Sequence, residues 1–381
     1  MKIEYVDTQA HLEKCVATLA KCTNIAIDLE FDKNHYKYGF NLCLLQIFDG
    51  EQCYLIDPIE TELELSVIFS VIANPAIEKI CFAFGEDMRL LHHLGCKPKN
   101  INDLGNARSL LNYPPISLSN LLKEVLDIDA DKTMQKSNWF KRPLSEEQIN
   151  YAADDVLYLF DLKEKLYAQL KEKQRVAWVK EENEAFDSVV YPDQIGVVSV
   201  KNSEKKLFTS YDFHIYDGLL KFREKTAARI GKPSYQIIKK EVLAEMAKGK
   251  LPTHNWLKQK GVFRSLLNKD YQYRIDAEHR RLISEAIELK KSKTASALEP
   301  LDRQTKRENR RKRALAESVK KEIYTDIKNK IIEQYGSEFA TFVMPNHIML
   351  SLGAKEITHI LPYRLKLIKE IGAQIGKQVN Y

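Results

Sequence analysis

The chain has 381 residues, more than one ordinary hydrophobic core accommodates, so two or three domains are expected. Its hydrophobic content of 44% and charged content of 29% are those of a soluble globular protein. Charge interrupts every apolar run well short of the ~18 residues a membrane-spanning helix needs. The net charge of +6 hides an asymmetry: residues 1–190 carry 21 Lys+Arg against 31 Asp+Glu, a net of −10, and residues 191–381 carry 38 against 22, a net of +16. An acidic half joined to a basic half predicts that different parts handle metal and polyanion.

The first residues, MKIEYVDTQAHLEKC, contain acids and no apolar run, which argues against a secretory leader. All six cysteines lie in the first hundred residues, none in a CxxC pair and several inside apolar runs. Buried free thiols in a reducing cytoplasm are therefore expected, not a zinc site or disulfides. Short apolar runs predict strands at Asn24–Phe31, Leu42–Phe48 and Cys53–Ile56. Helical periodicity predicts helices over Leu63–Ala73, Asp87–Leu94, Leu118–Leu126 and Ser145–Leu170, the last opened by a Ser145…Gln148 capping pair. Residues 191–206 look like a connector, residues 207–289 are helical and basic, residues 290–313 form a charged linker running into a helix, and residues 314–381 are helical again, punctuated at Gly336, Pro345, Gly353 and Pro362.

Three features carry chemistry. In IAIDLEF, alternation puts Asp28 and Glu30 on one face of a strand and Ile25, Ile27 and Leu29 on the other. Two carboxylates so close to a core are costly unless compensated, and a hard divalent cation is the usual compensation; an exposed strand end is the plain alternative. In YAADD, Tyr151 and Asp155 share a helix face at i and i+4, while Asp154 is turned about 100° away. Alone, this pair reads equally as ordinary helix surface. Asp87 opens a helix after EKICFAF, where a lone Asp is most often a cap.

As an ordered set, a strand DxE, an Asp opening a helix and a later YxxxD resemble the tyrosine-bearing DEDD (DEDDy) 3′–5′ exonucleases. KTMQKSNWFKRPLSEEQINYAADDVLYL (132–159) and IAIDLEF followed by LCLLQI are similar to ribonuclease D, and the resemblance covers residues 1–180. One departure is Phe82, where such proteins often carry a His five residues before the second-motif Asp; altered packing or substrate contact is expected there. The resemblance implies an α/β ribonuclease H-like exonuclease domain, a mixed sheet flanked by helices, over residues 1–200. It implies that Asp28, Glu30 and Asp155 hold one of two Mg²⁺ or Mn²⁺ ions, with Asp28 bridging to a second ion that Asp87 supports. Tyr151 would orient the attacking water. Lys136, Trp139 and Arg142, interleaved basic and aromatic residues upstream with Lys132 and Lys141, are substrate-binding candidates; the alternative is that Trp139 packs beneath the helix of Tyr151.

Residues 216–257 resemble the HRDC module through Leu220, Phe222, Arg223, Ala227, Pro233, Tyr235, Ile238, Leu243, Met246, Ala247, Pro252 and Leu257. This predicts an all-α HRDC-type domain over 207–292 and a second, diverged copy over 300–381. The implied function is release of nucleoside 5′-monophosphates from RNA 3′ ends, such as those of tRNA precursors, in the cytoplasm, with no membrane and no obligate protein partner. A DNA-directed exonuclease and a catalytically weak RNA-binding scaffold are the competing readings.

Overall fold

The strand-forming runs of the first half assemble one sheet. A computed structural model of the protein describes residues 2–130, 133–192, 195–251, 259–263, 268–291 and 303–379. The sheet strands are β1 (Lys2–Val6), β2 (Asn24–Lys33), β3 (Phe40–Phe48), β4 (Gln52–Ile56), β5 (Glu78–Cys81) and β6 (Ile101–Asp103). Their spatial order is β1-β4-β3-β2-β5-β6. Pairing is parallel for β1/β4, β2/β5 and β5/β6 and antiparallel for β3/β4, so the sheet is mixed. Strand β2 lies inside the sheet, and Ile25, Ala26, Ile27 and Leu29 on it are buried. The remaining first-half helices are α1 (Gln9–Leu19), α2 (Ser66–Ile72), α3 (Gly85–His93), α4 (Leu104–Leu110), α5 (Leu118–Leu126), α6 (Glu146–Leu157), α7 (Leu159–Glu172) and α8 (Val176–Glu184).

The single helix expected over 145–170 is two helices. Helix α6 begins with the capping box of Ser145 and Gln148 and ends at Tyr158, whose ψ of 2° leaves the helical range before α7 starts. The apolar period runs through the break without a shift, because Val156, Leu159 and Leu162 are all buried, so periodicity alone could not show it.

The chain divides into two compact units, Met1–Phe31 with Leu42–Pro192 and Lys306–Tyr381, and Asp32–Asn41 with Asp193–Thr305. The second unit contains α9 (Asn202–Lys205), α10 (Ser210–Ile230), α11 (Ser234–Ile237), α12 (Lys240–Ala247) and α13 (Lys269–Lys291). Phe213, Tyr216, Leu220, Leu243, Met246 and Leu282 are in its core. Arg223 is buried there and donates to the Ile238 carbonyl at 3.0 Å, a structural use of a basic residue. Tyr235 is exposed, and Lys132, Pro252 and Leu257, together with residues 292–302 of the expected linker, lie outside the described residues.

The last helices, α14 (Arg303–Val319), α15 (Thr325–Tyr335), α16 (Ser337–Val343), α17 (Asn346–Ala354) and α18 (Pro362–Gln374), share a hydrophobic core with the sheet domain. Trp178 on α8 stacks on Tyr363, with ring centroids 5.5 Å apart, and meets Phe339 at 5.8 Å. Arg364 is buried with Glu182, to which its Nε donates at 2.7 Å, and its Nη1 donates to the Phe342 carbonyl at 3.0 Å. Gly353 lies in the last turn of α17, which ends at Ala354, and a Cβ there would stand 2.5 Å from the Ala316 carbonyl oxygen, so two helices pass at backbone contact.

Candidate active site

The sheet alternation that buries Ile27 and Leu29 turns Asp28 and Glu30 to the opposite face. Asp155, on α6, meets them there: one carboxylate oxygen from each of the three lies within 4.8 Å of the others. Ala152 and Ala153 are buried, and their small side chains let α6 approach the sheet. Asp87, in the first turn of α3, and Tyr151, one turn before Asp155, line the same cavity of about 560 Å³. All five expected catalytic positions therefore border one space.

The electrostatics of that space are adverse without a cation. Burial raises the Asp28 carboxyl well above its ordinary range, reinforced by the charges of Asp155, Asp87 and Glu30. Burial, with the charges of Asp155 and Asp87, pushes Glu30 up to about 9. Burial also pushes Asp87 and Asp155 up to about 7, partly offset by a backbone hydrogen bond at Asp87 and by the Tyr151 hydroxyl at Asp155. Tyr151 is itself raised, by burial first and then by Asp155, Glu30 and Asp28. In the cation-free cavity its hydroxyl therefore keeps its proton and donates it to Asp155. The donor set is all oxygen, which suits a hard divalent ion such as Mg²⁺ or Mn²⁺.

Two of the three substrate-binding candidates are committed elsewhere. Trp139 is buried, 4% exposed, and packs against Tyr151 with ring centroids 6.0 Å apart, so its face is closed to an incoming base. Arg142 is buried in an ion pair with Asp57, donating from Nη2 at 2.6 Å, and also donates to the carbonyls of Cys43 and Trp139 at 2.8 and 2.7 Å. Burial alone would raise Asp57, but hydrogen bonds from Arg142 and Tyr5 hold it below the usual carboxylate range. Lys136 is exposed and is not among the cavity-lining residues, whereas its neighbour Gln135 is.

Sequence reasoning missed Asp103. It caps α4 by accepting from Gly105 N–H at 2.8 Å and also accepts from Ala83 and Phe84 N–H at 2.7 and 2.9 Å. Ala83 is held at a positive φ of 56°, and this clamp fixes the entry to α3 and hence Asp87. The Asp103-Leu-Gly pattern after a short strand was a readable cap signal. Phe82, at the place of the expected His, lines the cavity.

A mixed sheet carries a carboxylate-lined cavity between strand β2 and two helices, and residues 3–171 match the family model described as 3′-5′ exonuclease. Among the curated proteins the chain resembles are ribonucleases D. It is 32% identical over 232 residues to ribonuclease D of Shewanella sp. (strain ANA-3), a match covering 59% of each protein. The chain thus spans about three fifths of the length of the curated relatives it matches. Its fold is similar to that of Escherichia coli RNase D, described as an exoribonuclease involved in structured RNA processing, with a TM-score of 0.69 and 19% identity over 98% of both chains. It is also similar to the catalytic core of RRP6 from Trypanosoma brucei, with a TM-score of 0.64 and 22% identity, covering 74% of this chain and 80% of that one. At these identities the structural likeness is one of fold. No helix among the described residues is long and apolar enough to cross a membrane.

Proposed function

We propose that this protein is a 3′–5′ exoribonuclease that hydrolyses RNA phosphodiesters and releases nucleoside 5′-monophosphates. The observation that carries this reading is the convergence of Asp28, Glu30, Asp87 and Asp155 with Tyr151 on one cavity, with one carboxylate oxygen from each of Asp28, Glu30 and Asp155 within 4.8 Å of the others. In this reading Asp28, Glu30 and Asp155 would hold a divalent ion, with Asp87 available to a further one in the same cavity. The ions, Mg²⁺ or Mn²⁺, supply an acidified water and neutralise charge developing on the phosphoryl group and the leaving 3′-oxygen. Tyr151 keeps its proton and points it at the incoming water or phosphate. Trp139, packed against its ring, limits where that hydroxyl can go.

The basic second half supports capture of a single strand by its phosphates, with residues 207–292 as an HRDC-type helical domain and residues 300–381 as a diverged relative. RNA 3′ ends such as those of tRNA precursors are the proposed substrates. The six cysteines form no disulfide, which fits a cytoplasmic setting.

The test is a digest of matched RNA and DNA oligonucleotides bearing free or blocked 3′ ends, in Mg²⁺ and in Mn²⁺, with product analysis. Asp28→Asn and Asp155→Asn should abolish release of nucleoside 5′-monophosphates while RNA binding persists. Wild-type turnover in either variant overturns the reading. Equal or faster DNA cleavage would move the substrate to DNA.

A further inference from the structure

The catalytic cavity is lined by four carboxylates, yet a strand of phosphodiesters must enter it. Among the described residues exactly one cationic side chain lines it, Arg108, the only Arg or Lys on its wall. Arg108 projects from α4, the helix that Asp103 caps, and its guanidinium lies over the Phe82 ring, 5.9 Å from the centroid. Nη1 donates to the Ile116 carbonyl and Nη2 to the Ser109 hydroxyl, each at 3.2 Å. A guanidinium carries five N–H donors, so these two bonds leave three, and Nε is buried with no partner. Among the described residues no carboxylate forms an ion pair with it, although the charges of Asp103 and Glu338 act on it from further off. A half-buried cation on the cavity wall whose two terminal nitrogens each keep one N–H uncommitted is only part-satisfied, and an anionic ligand meeting those N–H groups would complete it.

We propose that Arg108, with Phe82 as the ring that sets its plane, binds a backbone phosphate of the nucleic-acid strand in the active-site cavity. This rests on the nuclease reading above and adds to it the residue that holds the strand against the metal ligands. The bonds to Ile116 and Ser109 fix the guanidinium as a rigid fork, which suits two oxygens of one phosphate better than a flexible lysine ammonium would. The opposite charge of the surrounding acids makes the position selective: a phosphate is favoured at Arg108 and repelled elsewhere until cations are bound. Phe82 then has a use that a histidine at the same place would not serve equally, since a protonated imidazole would repel the guanidinium.

The test uses the full chain carrying Asp28→Asn, so that RNA is bound and not cut, and oligonucleotides in which a single neutral methylphosphonate linkage is walked inward from the 3′ end. With Arg108 present, one linkage near the 3′ end should weaken binding by about ten- to a hundredfold, the effect of one charge-assisted hydrogen-bonded contact. Arg108→Gln should bind natural RNA more weakly by a similar factor and show no further loss at that linkage. Its binding should also lose about one unit of salt slope. Arg108→Lys should fall between the two. Unchanged affinity in Arg108→Gln, or a methylphosphonate penalty that persists in it undiminished, overturns the proposal. If Arg108→Gln fails to fold, the walk on the Arg108 protein decides: a uniform, small penalty at every linkage also overturns it. Failure of the nuclease reading is seen separately, as absence of turnover by the wild-type chain in both Mg²⁺ and Mn²⁺.

Discussion

The side chain of Asn112 fills the space in front of Gly336: a Cβ built on that glycine would stand 2.2 Å from the Asn112 amide. Asn112 uses the position to accept from the backbone N–H groups of Glu338 and Phe339, at 3.0 and 3.1 Å. A residue just beyond α4 thus caps α16, for which no cap comes from its own N-terminal residue.

Gly336 has φ +95° and ψ 165°, a region open to glycine almost alone. Gly336→Ala should therefore destabilise the fold by about 2–4 kcal/mol, from backbone strain and collision with Asn112. Asn112→Ala should cost about 1–2 kcal/mol through loss of the cap. Urea unfolding monitored by tryptophan fluorescence measures both, and Trp178, which touches α16, should report the same transition as far-UV circular dichroism.

Arg142 and Asp57 form a buried pair, with side chains 5% and 1% exposed. Arg142→Ala leaves Asp57 charged without its cation, held only by the Tyr5 hydroxyl and the Ile59 N–H, and should destabilise the protein by about 3–5 kcal/mol. RNA affinity per folded molecule should stay within about twofold, as expected of a residue with no substrate role. Because the folded-state acidity of Asp57 is shifted downward, its contribution is present above the ordinary aspartate value near about 4 and is lost as pH falls below it. Thermal melts of wild type and Asp57→Asn should converge below about pH 4.

The catalytic acids have the opposite sign. Glu30 titrates at about 9 in the folded, metal-free chain, so the folded state holds a proton that the unfolded state releases near about 4.3. Stability of the metal-free protein contributed by this group therefore falls as pH rises from about 4 towards 9. Glu30→Gln should raise the metal-free melting temperature at pH 8 by a few degrees and abolish turnover, a trade of stability against function. Adding Mn²⁺ should raise the melting temperature of the wild type far more than that of the variant.

Tyr151→Phe removes the hydroxyl and keeps the ring that packs on Trp139. Turnover should drop by about ten- to a hundredfold with Mn²⁺ affinity changed less than about threefold. A calorimetric titration beside single-turnover kinetics separates the two. An equal loss in metal affinity would place Tyr151 in the ligand set.

The parts of the site legible in the sequence were those written as local periodicity. The i, i+2 spacing of Asp28 and Glu30 and the i, i+4 spacing of Tyr151 and Asp155 state which face each side chain takes before any tertiary contact is known. The fates of Arg142 and Trp139 were not legible, because Asp57 is 85 residues from Arg142 and nothing local marks it as a partner. Arg108 went unnoticed for a similar reason: its neighbours Phe82 and Ile116 come from two other segments of the fold. Strands β1 and β6 are short, and only pairing with β4 and β5 makes them strands.

The shared core of α8 and the last helices has a consequence for the newly made chain. Trp178 leaves the ribosome about 160 residues ahead of Phe339, which at about 5–20 residues per second is roughly 8–30 s. During that interval the sheet domain has its catalytic strand and helices but exposes the aromatic face that Phe339 and Tyr363 will cover. The half bearing the carboxylate cavity is thus synthesised first and completed last, and a nascent chain stalled before α16 would present a sticky surface to chaperones and proteases.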